Sequence, residues 1–341
     1  MDSKELLKEL CLDHAPSGRE YMLYSIIKEA FKGFGDIYID KMNNIVIHKK
    51  GQGQGSIMLS AHADEIFLIV TEICNNGILR FKGVGVDPKA LISQEVVIHG
   101  KEEITGIIQG DLNDSGSKSI QGGNLFIDTG YPREFLEDKI KLGDFVTLKG
   151  EFMELLNNNV SCKTTDDRAG IVALYECAKE LKEHKHDLDI YFVCSCQEEV
   201  GHRGAKMISY SIMPDIGIAI DTTFDSGIMG DKNRENILGN GPIICVGPNL
   251  HPKLNQRLMK VGREYKITYG VEVEPGNTGT DAWDIQITGS GIPALLISIP
   301  TKYLHTRVEV INTEDIKNTG RLIASFIKSI KSNELEEILC F

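Results

Sequence analysis

The 341-residue sequence lacks the features that mark several common classes of protein. No apolar run approaches the ~20 residues that a membrane-spanning helix needs. The charged amino terminus, MDSKELLKELC, contains no secretory h-region. No basic block is larger than Lys49-Lys50, and the formal net charge is -12, whereas a phosphate-binding protein needs a basic face. We therefore expect neither a membrane nor a nucleic acid as a partner.

The eight cysteines form no Cys-x-x-Cys pair. Cys194 and Cys196 lie on one face of a predicted strand and are too close along it to form a disulfide comfortably, so we interpret them as small core residues of a protein of the reducing cytoplasm. Hydrophobic residues make up 41% and charged residues 25% of the chain, which is typical of a globular protein with a large core.

Hydrophobic periodicity separates an α/β part from an all-β part. Residues 3–32 show two helical patterns, the second opening at the capping box Ser17-Gly18-Arg19-Glu20. Short β-type runs separated by Gly, Asn and Asp turns follow, which indicates a small antiparallel barrel or sandwich. Helices then alternate with strands, the signature of a mostly parallel sheet flanked by helices. We predict an α/β domain of residues 1–66 and 163–341, interrupted by a β-rich insert of residues 67–162.

Five places share one arrangement, in which an apolar strand run ends in a group that can bind a metal ion. These are His62 with Asp64, Asp166 with Asp167, Glu198 with Glu199, Asp221, and His305. Ligands collect at the carboxyl ends of strands in open α/β sheets, so these groups are expected to converge.

The types of donor atom narrow the choice of metal ion. Imidazoles and carboxylates without thiolate suit zinc, cobalt or manganese better than calcium, which prefers cages made only of oxygen. A single catalytic zinc takes about three protein ligands. Five groups therefore suit two divalent ions, zinc or cobalt, with one carboxylate as a bridge, and this predicts a two-metal hydrolase.

Each candidate also has a structural interpretation. His62 alone could be a hydrogen-bonded core histidine, and Asp64 is placed to accept its other ring N–H. Asp167 fits a helix-capping pattern, Asp221 fits the start of a turn, and His305 fits a surface strand. His202, close behind the two glutamates, competes with them as a ligand on spacing alone, and we interpret it as scaffold.

The motifs AHADEI, TTDDRAG, CQEEVGHRGA, AIDTT, GNTGTDAWDIQI and YLHTRVEV occur in this order along nearly the whole chain. Together they resemble the tetrahedral aminopeptidases, dinuclear metallopeptidases that include glutamyl and deblocking aminopeptidases and members once labelled endoglucanase. The resemblance implies that the metal ligands are His62, Asp166, Glu199, Asp221 and His305, with Asp166 as the bridge. It further implies Glu198 as general base, a cis bond after Asp166, and an insert that forms dimers able to assemble into a dodecamer.

The predicted reaction is removal of amino-terminal residues from short peptides, with Glu198 acting on a water between the metals and Asp64 supporting the site. A glycoside hydrolase using Glu198 and Glu199 is disfavoured, because such carboxyls flank the bond from opposing sides. A metal-dependent deacylase remains an open alternative. A purely structural metal site is disfavoured, because it would leave Glu198 as a redundant carboxylate.

Overall fold

The computed structural model describes residues 1–110, 124–227 and 236–340. In these ranges the α-helices are α1 (Ser3–Leu12), α2 (Tyr24–Ala30), α3 (Pro88–Leu91), α4 (Arg133–Lys139), α5 (Thr165–Glu180), α6 (Arg203–Ile212), α7 (Pro252–Glu264), α8 (Asp281–Gln286), α9 (Thr313–Ser329) and α10 (Leu335–Leu339). The strands before α5 are β1 (Asp36–Ile39), β2 (Ile45–Lys49), β3 (Ser56–His62), β4 (Phe67–Ile73), β5 (Leu79–Val84), β6 (Glu95–His99), β7 (Glu103–Gly110), β8 (Leu125–Asp128), β9 (Phe145–Leu148), β10 (Met153–Glu154) and β11 (Asn159–Cys162). The strands after α5 are β12 (Asp189–Ser195), β13 (Ile216–Phe224), β14 (Ile243–Val246), β15 (Gly270–Val273), β16 (Ala294–Lys302) and β17 (Glu309–Asn312).

The larger sheet has the order β1-β2-β12-β3-β13-β16-β17-β11-β10, and β14 and β15 branch from β16. Its central strands β12, β3, β13 and β16 are parallel neighbours, and antiparallel strands extend it on both sides. Strand β3 is buried along nearly its whole length, as expected for a strand covered on both faces. One apolar core packs the sheet against α1, α5, α7 and α9, and a second packs its other face against α6 and α8.

The smaller β-structure is a closed barrel with the strand order β4-β5-β8-β7-β6-β9. Pairing of Leu68 with Val146 closes the ring between β4 and β9. Strand β7 alternates between exposed and buried residues, because one face fills the barrel and the other meets solvent. The predicted α/β fold with an all-β insert is therefore confirmed.

Three local predictions were wrong. The Ser17 hydroxyl does not cap a helix but donates to the Asp64 carboxylate, and a 3-10 turn begins only at Glu20. The sequence alternates like one strand over residues 37–48, but the structure has the β1–β2 hairpin there. The glycines at positions 51, 53 and 55 predict a hairpin turn, but β12 lies between β2 and β3, so these two strands do not pair.

The described helices include none that is both long and apolar enough to cross a membrane. All eight cysteines are free thiols, and Cys194 and Cys196 are buried, as the sequence interpretation has it. A cytoplasmic location stays a prediction.

Candidate metal centre

The candidate ligands lie at the edge of the sheet where its parallel strands end. His62 is the last residue of β3, and Asp221 lies in the second half of β13. Glu198 and Glu199 follow β12 in a tight turn, and His305 follows β16. Because these four strands are parallel neighbours, their carboxyl ends bring together residues that are far apart in sequence.

Asp166 reaches the same place from the start of α5, and its peptide bond to Asp167 is cis, as the resemblance implied. Asp167 does not bind the neighbouring imidazoles. Its side chain accepts hydrogen bonds from the backbone N–H groups of His62 and Gly170, at 3.3 and 3.1 Å. Asp167 therefore ties the end of β3 to the first turn of α5.

The predicted ligands form two groups that share Asp166. Ligand atoms of His62, Asp166 and Asp221 lie within 4.8 Å of one another, as do those of Asp166, Glu199 and His305. Asp166 Oδ1 is 3.3 Å from Nε2 of His62, whereas Oδ2 is 3.2 Å from Nε2 of His305. One carboxylate thus has an oxygen in each group, which is the arrangement expected of a bridging ligand.

The electrostatics of the site fit bound cations. Burial and the nearby Asp166 raise the pKa of Glu199 to about 8. Burial and neighbouring aspartates likewise raise the pKa of Asp221 well above its usual value. Burial also opposes ionisation of Asp166, yet hydrogen bonds with His305 and His62 hold its pKa below the ordinary range. Buried carboxylates that repel one another beside two imidazoles are the donor set that zinc or cobalt would bind.

Two buried carboxylates hold the turn that carries the glutamate pair. Asp64 Oδ1 accepts from the backbone N–H of Glu198 at 3.0 Å, and Oδ2 accepts from that of Glu199 at 3.2 Å. Glu20 accepts from the preceding N–H, that of Gln197, at 2.9 Å. Nδ1 of His62 lies 3.2 Å from the backbone oxygen of Asp64 and 3.5 Å from its carboxylate. Asp64, two residues after the end of β3, therefore contacts both the turn and a candidate ligand.

Glu309 is a functional residue that the sequence reasoning missed. Its Oε2 accepts from the Asp166 backbone N–H at 3.0 Å and from the Thr165 hydroxyl at 2.9 Å. Its Oε1 accepts from the backbone N–H of His305 at 2.9 Å. A fully buried carboxylate thus fixes two candidate ligands at once. The available signal was an acidic residue inside the β-branched run VEV, where a buried strand normally places apolar side chains.

The barrel also reaches the centre. Nδ1 of His305 lies 2.6 Å from the carbonyl oxygen of Gly85, which follows β5. Because a carbonyl can only accept, this contact fixes the proton of the imidazole on Nδ1 and leaves Nε2 to face Asp166. Gly85 has a φ of +72°, and a Cβ there would lie 2.9 Å from Oε2 of Glu199, so both backbone conformation and space require glycine.

His202 is not only scaffold. Its Nε2 lies 3.2 Å from Oε1 of Glu198, and its Nδ1 lies 3.0 Å from Oδ2 of Asp284. The hydrogen bond with Glu198, only partly offset by burial, raises the pKa of His202 to about 9. Spacing within the turn could not reveal this contact, because Asp284 approaches from α8.

The fold and the site together define a class of protein. An α/β sheet that gathers two imidazoles and two carboxylates around one shared aspartate has the donor set of a metallohydrolase.

The comparisons with known proteins agree and are more specific. The family model for M42 glutamyl aminopeptidase matches residues 43–322. The lysyl aminopeptidase of Pyrococcus furiosus is 34% identical over 340 residues, covering 96% of this chain and 97% of that protein. The aminopeptidase APDkam598 from Desulfurococcus kamchatkensis has a structure with a TM-score of 0.92 at 34% identity, covering 99% of this chain and 98% of that one. The TET1 peptidase of Pyrococcus horikoshii, which can assemble into a tetrahedron or a large octahedral shell, has a TM-score of 0.85 at 30% identity, covering 96% of this chain and 100% of that one.

This chain therefore belongs to the M42 glutamyl aminopeptidase family. It is an aminopeptidase, a hydrolase of peptide bonds, and the resemblance to the tetrahedral aminopeptidases is confirmed. The family is metal-dependent, in keeping with the two groups of candidate ligands, and its activity does not favour the glycoside hydrolase alternative.

Proposed function

We propose that this enzyme removes amino-terminal residues from short peptides with two divalent ions, zinc or cobalt, and with Glu198 as its general base. The observation that carries the proposal is the position of Asp166, which has one oxygen in each of two ligand groups. His62 and Asp221 would complete one ion's ligands, and Glu199 and His305 the other's. Such ions polarise a scissile carbonyl and acidify water.

The residue that we assign to proton transfer is Glu198. Its side chain is buried, and its backbone N–H donates to the Asp64 carboxylate. Glu198 takes a proton from the attacking water and then transfers it to the nitrogen of the leaving amine. Asp64 acts indirectly, by keeping the turn and the His62 imidazole in place.

Substitution Glu198→Gln tests the base, because the amide fills the same space but cannot take the proton. We expect kcat on aminoacyl anilides to fall by at least about 100-fold. Metal content, measured by mass spectrometry of the purified protein, should stay at the wild-type level. The exposed Glu180, at the end of α5, offers a matched control in Glu180→Gln. Wild-type turnover by Glu198→Gln would refute the assignment, whereas loss of metal would show that Glu198 is a ligand.

We further propose that residues 1–66 and 163–341 form the catalytic domain and that the insert, residues 67–162, mediates self-association. Support comes from the closed barrel and from the assemblies of the TET1 relative. A dimer, or a dodecamer built from dimers, is the expected state. Measurement of mass by light scattering after size exclusion tests this, and a monomer would contradict the role of the insert.

A further inference from the structure

The imidazole of His202 lies between two carboxylates, that of Glu198 in the turn after β12 and that of Asp284 on α8. We propose that His202, held by Asp284, is a positioning residue that fixes the side chain of Glu198 for proton transfer. This inference rests on the proposed role of Glu198 as general base. It assigns catalytic importance to a contact outside both ligand groups.

The hydrogen-bonding geometry specifies the form of the ring. Nε2 faces Glu198 at 3.2 Å, and Nδ1 faces Asp284 at 3.0 Å. A neutral imidazole carries one N–H and would turn a lone pair toward one of the carboxylates, whereas the imidazolium ion donates to both. The imidazolium form of His202 therefore suits both contacts, the hydrogen bond with Asp284 and the ion pair with Glu198.

Asp284, which holds the His202 ring, is itself held by Lys206. Oδ1 of Asp284 accepts from Nζ of Lys206 at 2.8 Å, so the two oxygens of this carboxylate have different partners and its rotation is restricted. Asp284 and His202 have only 13% and 15% of their side-chain surface exposed, which limits screening of the pair by water. The chain of contacts thus runs from α6 and α8 through the imidazole to the proposed base.

The backbone of the turn holds His202 close to Glu198. The Glu198 carbonyl accepts from the N–H groups of Gly201 and His202, at 2.8 and 3.0 Å. His202 adopts a left-handed conformation with a φ of 51°, which directs its ring back over the turn. Asp64 fixes the backbone of Glu198, whereas His202 fixes its carboxylate. A base that moves a proton between water and an amine needs this fixed position.

Two substitutions separate the contacts of the ring. In His202→Gln the amide nitrogen replaces Nε2 and keeps a donor for Glu198. In His202→Asn the amide nitrogen replaces Nδ1 and keeps a donor only near Asp284. We expect His202→Asn to lower kcat by about 10- to 100-fold with KM within about twofold of wild type, and His202→Gln to recover most of the loss. Metal content and the midpoint of thermal unfolding should match the wild type in both variants.

A matched control is the pair formed by His48 and Asp189, whose Nε2 and Oδ2 atoms lie 3.1 Å apart on β2 and β12, away from the centre. His48→Asn should leave kcat unchanged. Asp284→Asn provides a second test at a site that does not alter the turn, and it should also lower kcat without loss of metal.

Wild-type kcat in both His202→Asn and Asp284→Asn would overturn the inference. Equal losses in His202→Asn and His202→Gln, accompanied by lost metal or a lower unfolding temperature, would also overturn it, because they indicate a structural role. The outcome for Glu198→Gln keeps the two proposals distinguishable. If Glu198→Gln is inactive and His202→Asn is fully active, only the positioning role of His202 is refuted. If Glu198→Gln is active, the assignment of Glu198 as general base is refuted.

Discussion

Substitution Glu309→Gln should weaken metal binding although Glu309 is not a ligand. Two backbone N–H groups, those of Asp166 and His305, donate to different oxygens of this carboxylate. An amide has one oxygen, so whichever way the glutamine is oriented, one of these N–H groups faces an NH₂ group. A buried donor that loses its acceptor costs about 1 to 3 kcal/mol, or about 5- to 150-fold in an equilibrium constant.

Part of this cost should appear in metal affinity, because the N–H groups belong to the shared ligand and to one of its partners. We expect the dissociation constant for zinc or cobalt to rise about 10- to 100-fold. Titration of the metal-free protein in a metal buffer, followed by calorimetry, measures this directly. The unfolding temperature without metal should fall as well.

A control with the same chemistry lies elsewhere in the chain. Asp315 is buried, and its two oxygens accept the backbone N–H groups of Gly239 and Gly241, both at 2.7 Å. Asp315→Asn should therefore lower stability by a similar amount and leave metal affinity unchanged. Wild-type metal affinity in Glu309→Gln would refute the reasoning, as would equal losses of affinity in both variants.

Three other outcomes are expected. Asp166→Asn should lower the bound metal to one ion per chain or fewer, measured by mass spectrometry, and full occupancy would exclude the bridge. Glu65→Gln should lower the free energy of unfolding, measured by urea titration, by about 3 to 5 kcal/mol, because it leaves the buried cations Lys163 and Arg168 without their carboxylate. A loss below about 1 kcal/mol would contradict this expectation. Burial, followed by the charge of Lys163, lowers the pKa of His14 from 6.5 to about 4, so the unfolded chain binds more protons between these values and stability should fall as pH drops from 6.5 to 4. The dependence should weaken in His14→Gln, and an unchanged slope would show that other groups cause it.

The sequence indicated the candidate ligands because their signal is local. His62, Glu199 and Asp221 each end an apolar strand run, and the rule that ligands collect at the carboxyl edge of a parallel sheet needs no knowledge of strand order. The barrel could also be predicted from local sequence, because its short alternating runs and the turn residues between them are recognisable without knowledge of the fold.

The hydrogen bonds that support the ligands were not predictable in this way. Glu309 contacts Asp166 across 143 positions of sequence. Ser17 and Glu20 match a capping box. In the structure, however, Ser17 donates to Asp64 and Glu20 accepts from the N–H of Gln197, and these distant partners compete with the local capping contact. The error over residues 51–55 has the same origin, because only the fold reveals that β12 separates β2 from β3.

The contact between Gly85 and His305 changes how the insert should be regarded. Period and turn spacing divide the chain near residue 67, and the family resemblance implied that the insert serves assembly. However, the carbonyl oxygen of Gly85, in that insert, accepts the Nδ1 proton of His305, a candidate ligand. A Cβ at Gly85 would lie 2.9 Å from Oε2 of Glu199. An α/β domain folded without residues 67–162 would therefore lack the group that orients His305. The barrel therefore contributes to the candidate metal centre, in addition to the role in self-association proposed for it.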